Sequence, residues 1–507
     1  MSLSPRALIR VAFALLWAVG AALLPAPAAH AGDDGLIREE VTFRGGGGLT
    51  LHGTVLTSRT TQASGTATTR RALRASGTAR AFEAPPGARP GIVLVGGSGP
   101  GPREEYRQEA EAFARAGITT LVYDKRTVQY STMHRDFGLL TEDALAGVRL
   151  LRNRAGVDPR RVGLWGFSEG GWVAPMAAAR SSDVAYVITI GGSGHSPLRS
   201  QVWNLTTHLR HRGVTGSFLS ATTGPAAQLV DSTGLFPEAD RDVLPALKRL
   251  RRTPVLALWG AYDNQVPPQE SARIFQRTLA EVGNDHVVLR FVPGAAHNGH
   301  RTSDGFDRIG GPSYRGKRLG ALPPGYVHTM TSWVRAVASG HPPRSSAAPA
   351  LPQAIPSTPV SGAWYARAVP ALLLLGFAAY PVGGMLRRIT SRKRPRPRTG
   401  RCVRLFRWLA GLGFVAVVGA VLAPLAIFVL GDGAAAPVVA GRPVGWLVVQ
   451  GLSVAVVVVL CVTAAAVIRE RREWRALGAA RWMRSTVVLV TAAGFVPWAL
   501  WWGVLRP

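Results

Sequence analysis

The chain has 507 residues, of which 47% are hydrophobic and 17% charged, and its 59 Lys or Arg residues against 29 acidic ones give a formal net charge of +30. The length suggests two or more structural units, and the apolar content excludes a disordered chain. Two cysteines exclude a disulfide-stapled scaffold and a metal site built from several cysteines. The charge alone would suit a nucleic-acid-binding protein, so the distribution of the basic residues along the chain is needed to test that interpretation.

The first 31 residues have the order of a secretory signal peptide. Arg6 and Arg10 precede an apolar stretch from Val11 to Leu24, and the small-residue sequence Ala29-His30-Ala31 follows. We predict cleavage after Ala31. An uncleaved membrane anchor is the alternative, although the apolar stretch is shorter than the roughly 20 residues that a spanning helix needs.

Residues 363–507 contain four apolar runs, each about long enough to cross a bilayer as a helix. None of them contains a charged residue or a histidine. Gln450 is the one strongly polar side chain within the four runs. Because ionisable residues inside a membrane usually mark a transport pathway, an anchor or partner-docking bundle is favoured over a transporter. The predicted spans are residues 368–386, 409–430, 445–468 and 485–505.

Basic residues are concentrated in two loops of this C-terminal part, which has 19 Lys or Arg residues against three acidic ones. Most lie in 387–401 and 469–484, whereas the loop 431–444 has one Arg and one Asp. The positive-inside rule places both basic loops in the cytoplasm and everything before residue 363 outside, in agreement with export by a signal peptide. We therefore predict a multi-pass protein of the cell membrane that contacts the lipid bilayer and binds no nucleic acid.

Residues 344–362 are rich in Pro, Ala and Ser and predict a partly extended linker, which leaves 32–343 as one exported domain. A hairpin is expected around the four glycines 45–48, followed by strands that alternate with helices. That alternation predicts an α/β fold with a mostly parallel sheet covered on both faces. The predicted strands are 92–95, 118–123, 162–165, 184–190, 254–259 and 287–291, and the predicted helices are 104–116, 141–155, 170–180 and 325–338.

The sequence Gly166-Phe167-Ser168-Glu169-Gly170-Gly171 lies between a predicted strand and a predicted helix. This is the context in which a G-x-S-x-G turn presents a nucleophilic serine above the sheet. A serine hydroxyl is a weak nucleophile and needs a base to remove its proton. We predict that Ser168 is the nucleophile, rather than part of an ordinary turn between a strand and a helix.

Partners of such a serine follow in the order acid and then histidine. Asp263 and His297 each come just after a predicted strand, at the sheet edge where open α/β sheets place their sites. His297 is the predicted base and Asp263 the residue that orients it. The alternatives are a turn-stabilising role for Asp263 and a surface position for His297, with His300 as the substitute base. Asp124 is expected to organise loops.

An oxyanion hole needs two backbone amides. We predict the amide of Glu169, directly after the nucleophile, and that of Ser98 in the glycine turn 96–100. The same glycine turn would also suit a tight loop or a phosphate-binding nest, although it lacks the Lys and Ser/Thr ending of a P-loop. No metal or cofactor site is predicted.

Together these residues resemble the α/β-hydrolase superfamily, and within it bacterial acyl hydrolases related to dipeptidyl-aminopeptidase- and acylaminoacyl-peptidase-like enzymes. The resemblance implies hydrolysis of an ester, thioester or amide through an acyl-enzyme, with no cofactor. The chain departs from the family pattern at 127–129, where a glycine-rich turn is usual. The resemblance does not extend to the membrane spans. The matching segments are Gly96–Pro100, Tyr123–Arg126, Asp143–Leu145, Val157–Pro159, Gly166–Gly171, the turn at Asp263 and Gly294–His297.

The segment from about 196 to 252 is predicted to be a helical lid over an acyl pocket, unless its apolar residues only pack within the insertion. The leading hypothesis is a membrane-anchored serine hydrolase that cleaves small acyl esters or thioesters. A serine peptidase acting on short peptides is the alternative, although about 60 residues before the first core strand leave no room for an N-terminal propeller. A third reading is a non-catalytic ligand-sensing domain on a membrane bundle. The oligomeric state is not predicted.

Overall fold

A nine-stranded sheet forms the centre of the domain that precedes the C-terminal helices. The computed structural model describes residues 34–59, 87–131, 134–236, 238–353, 355–390, 401–470 and 479–507. The strand order is β1-β2-β4-β3-β5-β6-β7-β8-β11, with β1 and β2 forming the predicted antiparallel hairpin and β2 also running antiparallel to β4. The remaining neighbours are parallel. The sheet strands are Leu36–Arg44, Thr50–Ser58, Arg89–Val95, Thr119–Tyr123, Val157–Phe167, Val187–Ile190, Val255–Gly260, Val287–Val292 (β1 to β8) and Ser346–Ala347 (β11).

Helices cover both faces of this sheet, and two small hairpins lie outside it. The helices of the domain are Arg107–Arg115 (α1), Phe137–Arg152 (α2), Gly170–Arg180 (α3), Pro197–His211 (α4), Gly216–Ala221 (α5), Ala227–Thr233 (α6), Leu244–Leu247 (α7), Pro268–Glu281 (α8) and Tyr326–Ala338 (α9). The additional strands are Ser313–Tyr314 (β9), Lys317–Arg318 (β10), Val438–Val439 (β12) and Arg442–Pro443 (β13).

Alternation along the strands divides the core into two layers. In β3, Val93 and Val95 pack with α2, α3, α7 and α8, whereas Ile92 and Leu94 pack with α1 and α9. Side chains of a strand point alternately to opposite faces, so a parallel sheet with both faces covered needs apolar residues at consecutive positions. This is why the central strands are continuous apolar runs, and the predicted fold class is confirmed.

Helix α2 begins four residues before the predicted start at Thr141. Asp136 is its N-cap, and the Asp136 carboxylate accepts a hydrogen bond of 3.0 Å from the amide of Leu139. Such a cap satisfies an amide that the first helical turn leaves without a partner. The capping residue lies before the apolar periodicity becomes clear, which is why pattern alone placed the start too late.

The segment predicted as a lid contains α4, α5, a π-helical turn Thr222–Ala226 and α6, followed by α7. Leu205, Leu209, Phe218 and Leu229 are buried, but in a cluster shared with the C-terminal helices. These residues therefore pack neither within the insertion alone nor directly against the sheet. The apolar residues of the segment thus contact the C-terminal helices, and its role as a lid over an acyl pocket stays a prediction.

Four C-terminal helices follow, and within the described part of the chain all four are long and apolar enough to cross a membrane. Their outward faces carry exposed apolar side chains such as Leu375, Leu422, Val458 and Val490. An apolar outer surface of this kind suits a hydrocarbon environment. The helices are Trp364–Thr390 (α10), Arg401–Leu430 (α11), Val444–Arg469 (α12) and Ala479–Trp502 (α13).

The segment predicted as a linker is attached to the surface of the domain. Its residues Ser346 and Ala347 form β11 and pair with β8. Farther along, Ser357 accepts a hydrogen bond of 2.8 Å from Arg199 Nε, and Trp203 Nε1 donates one of 2.9 Å to the carbonyl of Ile355. The segment is thus extended, but it is not a free spacer.

Two predictions fall outside the described residues. These are the signal peptide 1–31 and most of the arginines of the two basic loops. They stay predictions.

Candidate active site

Ser168 lies at the sharp turn between β5 and α3. Its backbone has φ of 52°, in the left-handed region that a non-glycine residue rarely adopts. The amide of Ser168 donates a 2.8 Å hydrogen bond to the carbonyl of Ile190, which fixes this strained turn to the neighbouring strand. A Cβ on Gly166 would lie 2.0 Å from the carbonyl oxygen of Gly170, so the turn can close only because residue 166 is a glycine.

The structure brings Ser168, Asp263 and His297 together, although Asp263 and His297 follow Ser168 by 95 or more positions. His297 Nε2 is 2.8 Å from Ser168 Oγ. On the other side of the ring, Nδ1 is 2.9 Å and 3.0 Å from the two carboxylate oxygens of Asp263. Because a carboxylate only accepts, Nδ1 carries the proton and donates it, which leaves Nε2 free to accept from the serine hydroxyl.

Asp263 makes the hydrogen bonds that both sequence-based alternatives require, those of a turn and those to His297. Its Oδ1 accepts hydrogen bonds from the amides of Gln265 (2.9 Å) and Val266 (3.0 Å), so the side chain stabilises the turn after β7. The same carboxylate holds His297, and both side chains are almost completely buried. The turn therefore fixes the carboxylate in the direction from which it orients the imidazole.

The substitute base considered from sequence, His300, lies elsewhere. Its Nε2 is 2.6 Å from Glu109 Oε1 and its Nδ1 is 2.7 Å from the carbonyl of Leu319. Burial opposes its positive charge, but attraction by the Glu109 carboxylate, together with the hydrogen bonds to Glu109 and to the carbonyl of Leu319, outweighs burial and raises the pKa of His300. Asp124 accepts a 3.0 Å hydrogen bond from the amide of Arg103, which fits the expected loop-organising role.

The glycine turn 96–100, which follows β3, is directly beside Ser168. A Cβ placed on Gly97 would lie 3.4 Å from the Cβ of Ser168. The amides on either side of Ser98 are occupied, because Gly97 donates to Tyr106 Oη (2.8 Å) and Gly99 donates to Tyr130 Oη (2.9 Å). Within the described residues the amides of Ser98 and Glu169 have no acceptor. They are the two amides that sequence reasoning predicted for an oxyanion hole, and their roles stay a proposal.

A buried polar cluster that sequence reasoning missed joins the two predicted oxyanion amides. Lys125 Nζ donates both to the carbonyl of Gly97 and to the carboxylate of Glu169, and Tyr130 Oη donates to the same carboxylate over 2.8 Å. Arg135 approaches the second carboxylate oxygen at 3.4 Å. The side chain of Glu169 thus lies in a buried polar site that fixes the backbone carrying its amide.

The charges of this cluster follow from burial. Burial lowers the pKa of Lys125 against the opposing attraction of Glu169. For Tyr130, burial and the adjacent Glu169 carboxylate both raise the pKa, so its hydroxyl remains a neutral donor. The motif Tyr123–Arg126 contained a signal for this cluster, because it placed a lysine directly after a strand end beside the predicted site.

The neighbouring Arg126 belongs to a separate buried pair. Its guanidinium binds both carboxylate oxygens of Asp143 (2.6 and 2.7 Å) and the carbonyl of Gly46, whose amide in turn donates to Asp143. This pair holds the turn of the β1–β2 hairpin against α2. Among the described residues, no group of three or more His, Cys, Asp or Glu side chains could hold a metal ion.

Comparison with known proteins gives one family match, to the prolyl oligopeptidase family over residues 135–309. A thiohydrolase of Arthrinium phaeospermum is 36% identical over 89 residues, which are 17% of this chain and 29% of that protein. A thiohydrolase of Aspergillus aculeatus is 36% identical over 85 residues, 16% of this chain and 27% of that protein. The chain thus spans less than a third of the length of these curated relatives.

Among solved structures, a dienelactone hydrolase from Anabaena variabilis is 17% identical, with a TM-score of 0.34, and covers 60% of this chain and 99% of its own. The family match contains Ser168, Asp263 and His297, and it supports a hydrolase. The strand order, the strand–turn–helix around the serine and this match together make the segment before residue 344 a domain of the α/β-hydrolase fold.

Proposed function

We propose that the protein is a membrane-anchored serine hydrolase that cleaves carboxylic esters or thioesters through an acyl-enzyme. The observation that carries the proposal is the continuous hydrogen-bonded chain from Ser168 Oγ through His297 to Asp263. A hydroxyl, an imidazole and a carboxylate in this order are the parts that acyl transfer needs. The intact chain also argues against a purely ligand-sensing domain.

In the proposed mechanism, His297 Nε2 takes the proton of Ser168 as Oγ bonds to the acyl carbon. The negative oxygen of the tetrahedral intermediate accepts hydrogen bonds from the amides of Ser98 and Glu169. The bond to the leaving alcohol or thiol then breaks, and that group receives the proton from the imidazolium. Water, deprotonated by the same imidazole, attacks the acyl-enzyme, and the acid and free Ser168 are released.

The two candidate activities, ester or thioester hydrolysis and peptide hydrolysis, differ in the leaving group of the substrate. The curated relatives are thiohydrolases by name, which supports a thioester or ester, whereas the family match supports a serine peptidase as the second candidate. Full-length protein in detergent should be offered an ester, a thioester and an anilide with the same butyryl group. We expect faster turnover of the ester and thioester, and cleavage of the anilide or of short peptides alone would favour the peptidase.

Ser168→Ala tests catalysis directly. We expect loss of ester hydrolysis and of covalent labelling by a fluorophosphonate, because the hydroxyl that attacks has been removed. Ser339→Ala, an exposed serine at the end of α9, is the matched control and should retain both. Ester hydrolysis at the wild-type rate in Ser168→Ala would refute the proposal.

Anchoring by α10 to α13, with the hydrolase domain on the extracytoplasmic side, completes the proposed function. The distribution of basic residues supports this orientation. Cells that produce the full chain should show labelling of Ser168 by a membrane-impermeant fluorophosphonate added outside. Labelling only after the cells are opened would contradict the orientation without contradicting catalysis.

A further inference from the structure

The lid and the C-terminal helices share one buried apolar core. Leu209 and Phe218 from the lid are almost fully buried in the same cluster as Trp446 of α12 and Trp502 of α13. The rings of Phe218 and Trp446 meet edge to face, with centroids 5.2 Å apart. The lid is therefore packed onto the helices that are apolar enough to cross a membrane, and we call this contact the seam.

Hydrogen bonds and an ion pair fix the register of the seam. Trp446 Nε1 donates to Ser217 Oγ over 3.1 Å, and the amide of Thr215 donates to the carbonyl of Gly441 over 2.7 Å. At the end of α4, Arg212 pairs with Asp432 in the loop between α11 and α12. These contacts are specific in direction, so the seam has one arrangement rather than a sliding apolar contact.

The same lid also contacts a residue next to the candidate active site. In α4, Thr207 Oγ1 donates a 2.5 Å hydrogen bond to the carbonyl of Asn264, the residue after Asp263. At the beginning of α4, Leu198 packs against Ala227 and Val230 of α6. The carboxyl edge of the sheet, where Ser168 lies, therefore faces the lid, and the lid in turn faces the end of the helical bundle.

A cavity of about 380 Å³ lies in the seam, between α5, the π-helical turn and α6 on one side and the end of α13 on the other. Its volume is within the range of about 300–1,000 Å³ usual for small-ligand sites. Apolar surface comes from Ala221, Pro225, Trp501 and Trp502, and Ser220 and Arg506 also line the cavity. Within the described residues the buried Gln228 Oε1 has no hydrogen-bond partner, and Gln228 also lines the cavity.

The end of α13 forms one wall of this cavity, and the position of α13 determines which kind of ligand can reach it. The same helix exposes Val490 and Leu500 on its outer surface, which would lie in lipid if α13 crosses a membrane. Tryptophans at the end of such a helix are typical of the boundary between hydrocarbon and headgroups. An alkyl chain dissolved in that leaflet would thus meet the cavity without passing through water.

We infer that the hydrolase acts on an ester or thioester of a membrane-dissolved amphiphile, and that the seam cavity receives the alkyl chain of this substrate. The inference rests on the proposed function, because it names the substrate class of the same site. The chain enters between the lid and α13 while the acyl carbon is presented to Ser168 at the carboxyl edge of the sheet. The lid is then a fixed bridge between bilayer and site.

The test uses the full chain in phosphatidylcholine vesicles with two fluorogenic esters, a water-soluble butyrate and a palmitate dissolved in the bilayer. Gly224→Phe fills the cavity from the lid side, since a Cβ at Gly224 meets nothing within 4 Å. Gly451→Phe is the matched control, because Gly451 is also helical with open space at its Cβ but does not line the cavity. Ser220→Trp is a second cavity-filling variant from another position.

We expect wild-type protein to hydrolyse both esters. Each cavity-filling variant should lose about tenfold or more in kcat/KM for the palmitate, on the scale by which pocket changes discriminate substrates, while the butyrate and the control variant are unaffected. Equal losses on both esters, or no loss on the palmitate, would overturn the inference. Wild-type protein that hydrolyses butyrate but ignores palmitate would also overturn it and leave the proposed function standing. Failure on both esters, without fluorophosphonate labelling of Ser168, would instead refute the proposed function.

Discussion

Lys125→Met removes the side chain that joins the two predicted oxyanion amides. In the folded protein its ammonium binds the carbonyl of Gly97 and the carboxylate of Glu169, next to the amides of Ser98 and Glu169. Methionine has a similar length but no donor, so the cluster loses its bonds without a large change in volume. The change thus tests whether the buried pair positions the oxyanion hole or only stabilises the fold.

The structure sets the scale of both effects. Breaking a buried ion pair from one side costs about 3–5 kcal/mol of stability, because a charge remains without its partner. Arg135 lies 3.4 Å from the second oxygen of Glu169 and Tyr130 donates to the first, so we expect the lower end of that range. Loss of a whole oxyanion donor costs roughly 10²- to 10³-fold in kcat. A displaced turn should cost less, about tenfold to a hundredfold.

The assay separates positioning from stability by measuring kcat and KM for a short ester together with thermal unfolding of the full chain in detergent. The control is Arg126→Met, which breaks a pair of similar burial with Asp143 that contacts neither the glycine turn nor Glu169. We expect both variants to lose stability, but only Lys125→Met to lose kcat per folded molecule, with KM little changed.

The double variant Lys125→Met, Glu169→Gln sharpens the same test. Neutralising the carboxylate should restore part of the stability, because the buried Glu169 charge that lost its lysine is removed; the rest stays lost because Arg135 then has no carboxylate beside it. It should not restore kcat, because the bond to the carbonyl of Gly97 is still missing. If Lys125→Met keeps the wild-type kcat per folded molecule, Lys125 is structural only and the positioning argument is wrong.

Two further predictions concern the buried imidazoles. Asp263→Asn should lower kcat by roughly 10⁴-fold with little effect on folding, because an amide can donate to His297 and favour the wrong tautomer; a loss below tenfold in ester turnover would contradict the orienting role. For His300 the folded pKa is raised, so its pair with Glu109 contributes fully below the unfolded pKa of about 6.5 and loses that contribution as pH rises through the folded pKa. The difference in unfolding midpoint between wild type and Glu109→Gln should therefore be largest at acidic pH and shrink as pH rises, and a constant difference would show that the charge of His300 is not involved.

Sequence could place Ser168, Asp263 and His297 because each depends on local chemistry at the end of a strand. Parallel strands bring their carboxyl ends to one edge, so three loops far apart in the chain meet there once the strands are recognised. The geometry around the glycine turn 96–100 could not be predicted from the sequence pattern alone. The bonds from Gly97 and Gly99 to Tyr106 and Tyr130 single out the amide of Ser98, and nothing in the spacing of those tyrosines indicates them.

The seam between lid and bundle could not be predicted, for a physical reason. Ser217 and Trp446 are 229 positions apart. The apolar residues around Ser217 are already explained by a core within the predicted lid, and those around Trp446 by contact with lipid. Periodicity reports that a face is apolar but not which surface covers it. Only the three-dimensional structure shows that the apolar face of the predicted lid is partly covered by the C-terminal helices.

This pairing fixes how the helical bundle is attached to the domain that precedes it. A helical bundle joined by a flexible linker would leave the hydrolase domain free to turn toward soluble substrates. Here β11 attaches the linker to the sheet, Arg212 and Asp432 join the lid to the loop between α11 and α12, and Phe218 is buried against Trp446. Separating the predicted lid from the bundle would expose apolar surface on both sides of the seam, so the bundle holds this segment in place.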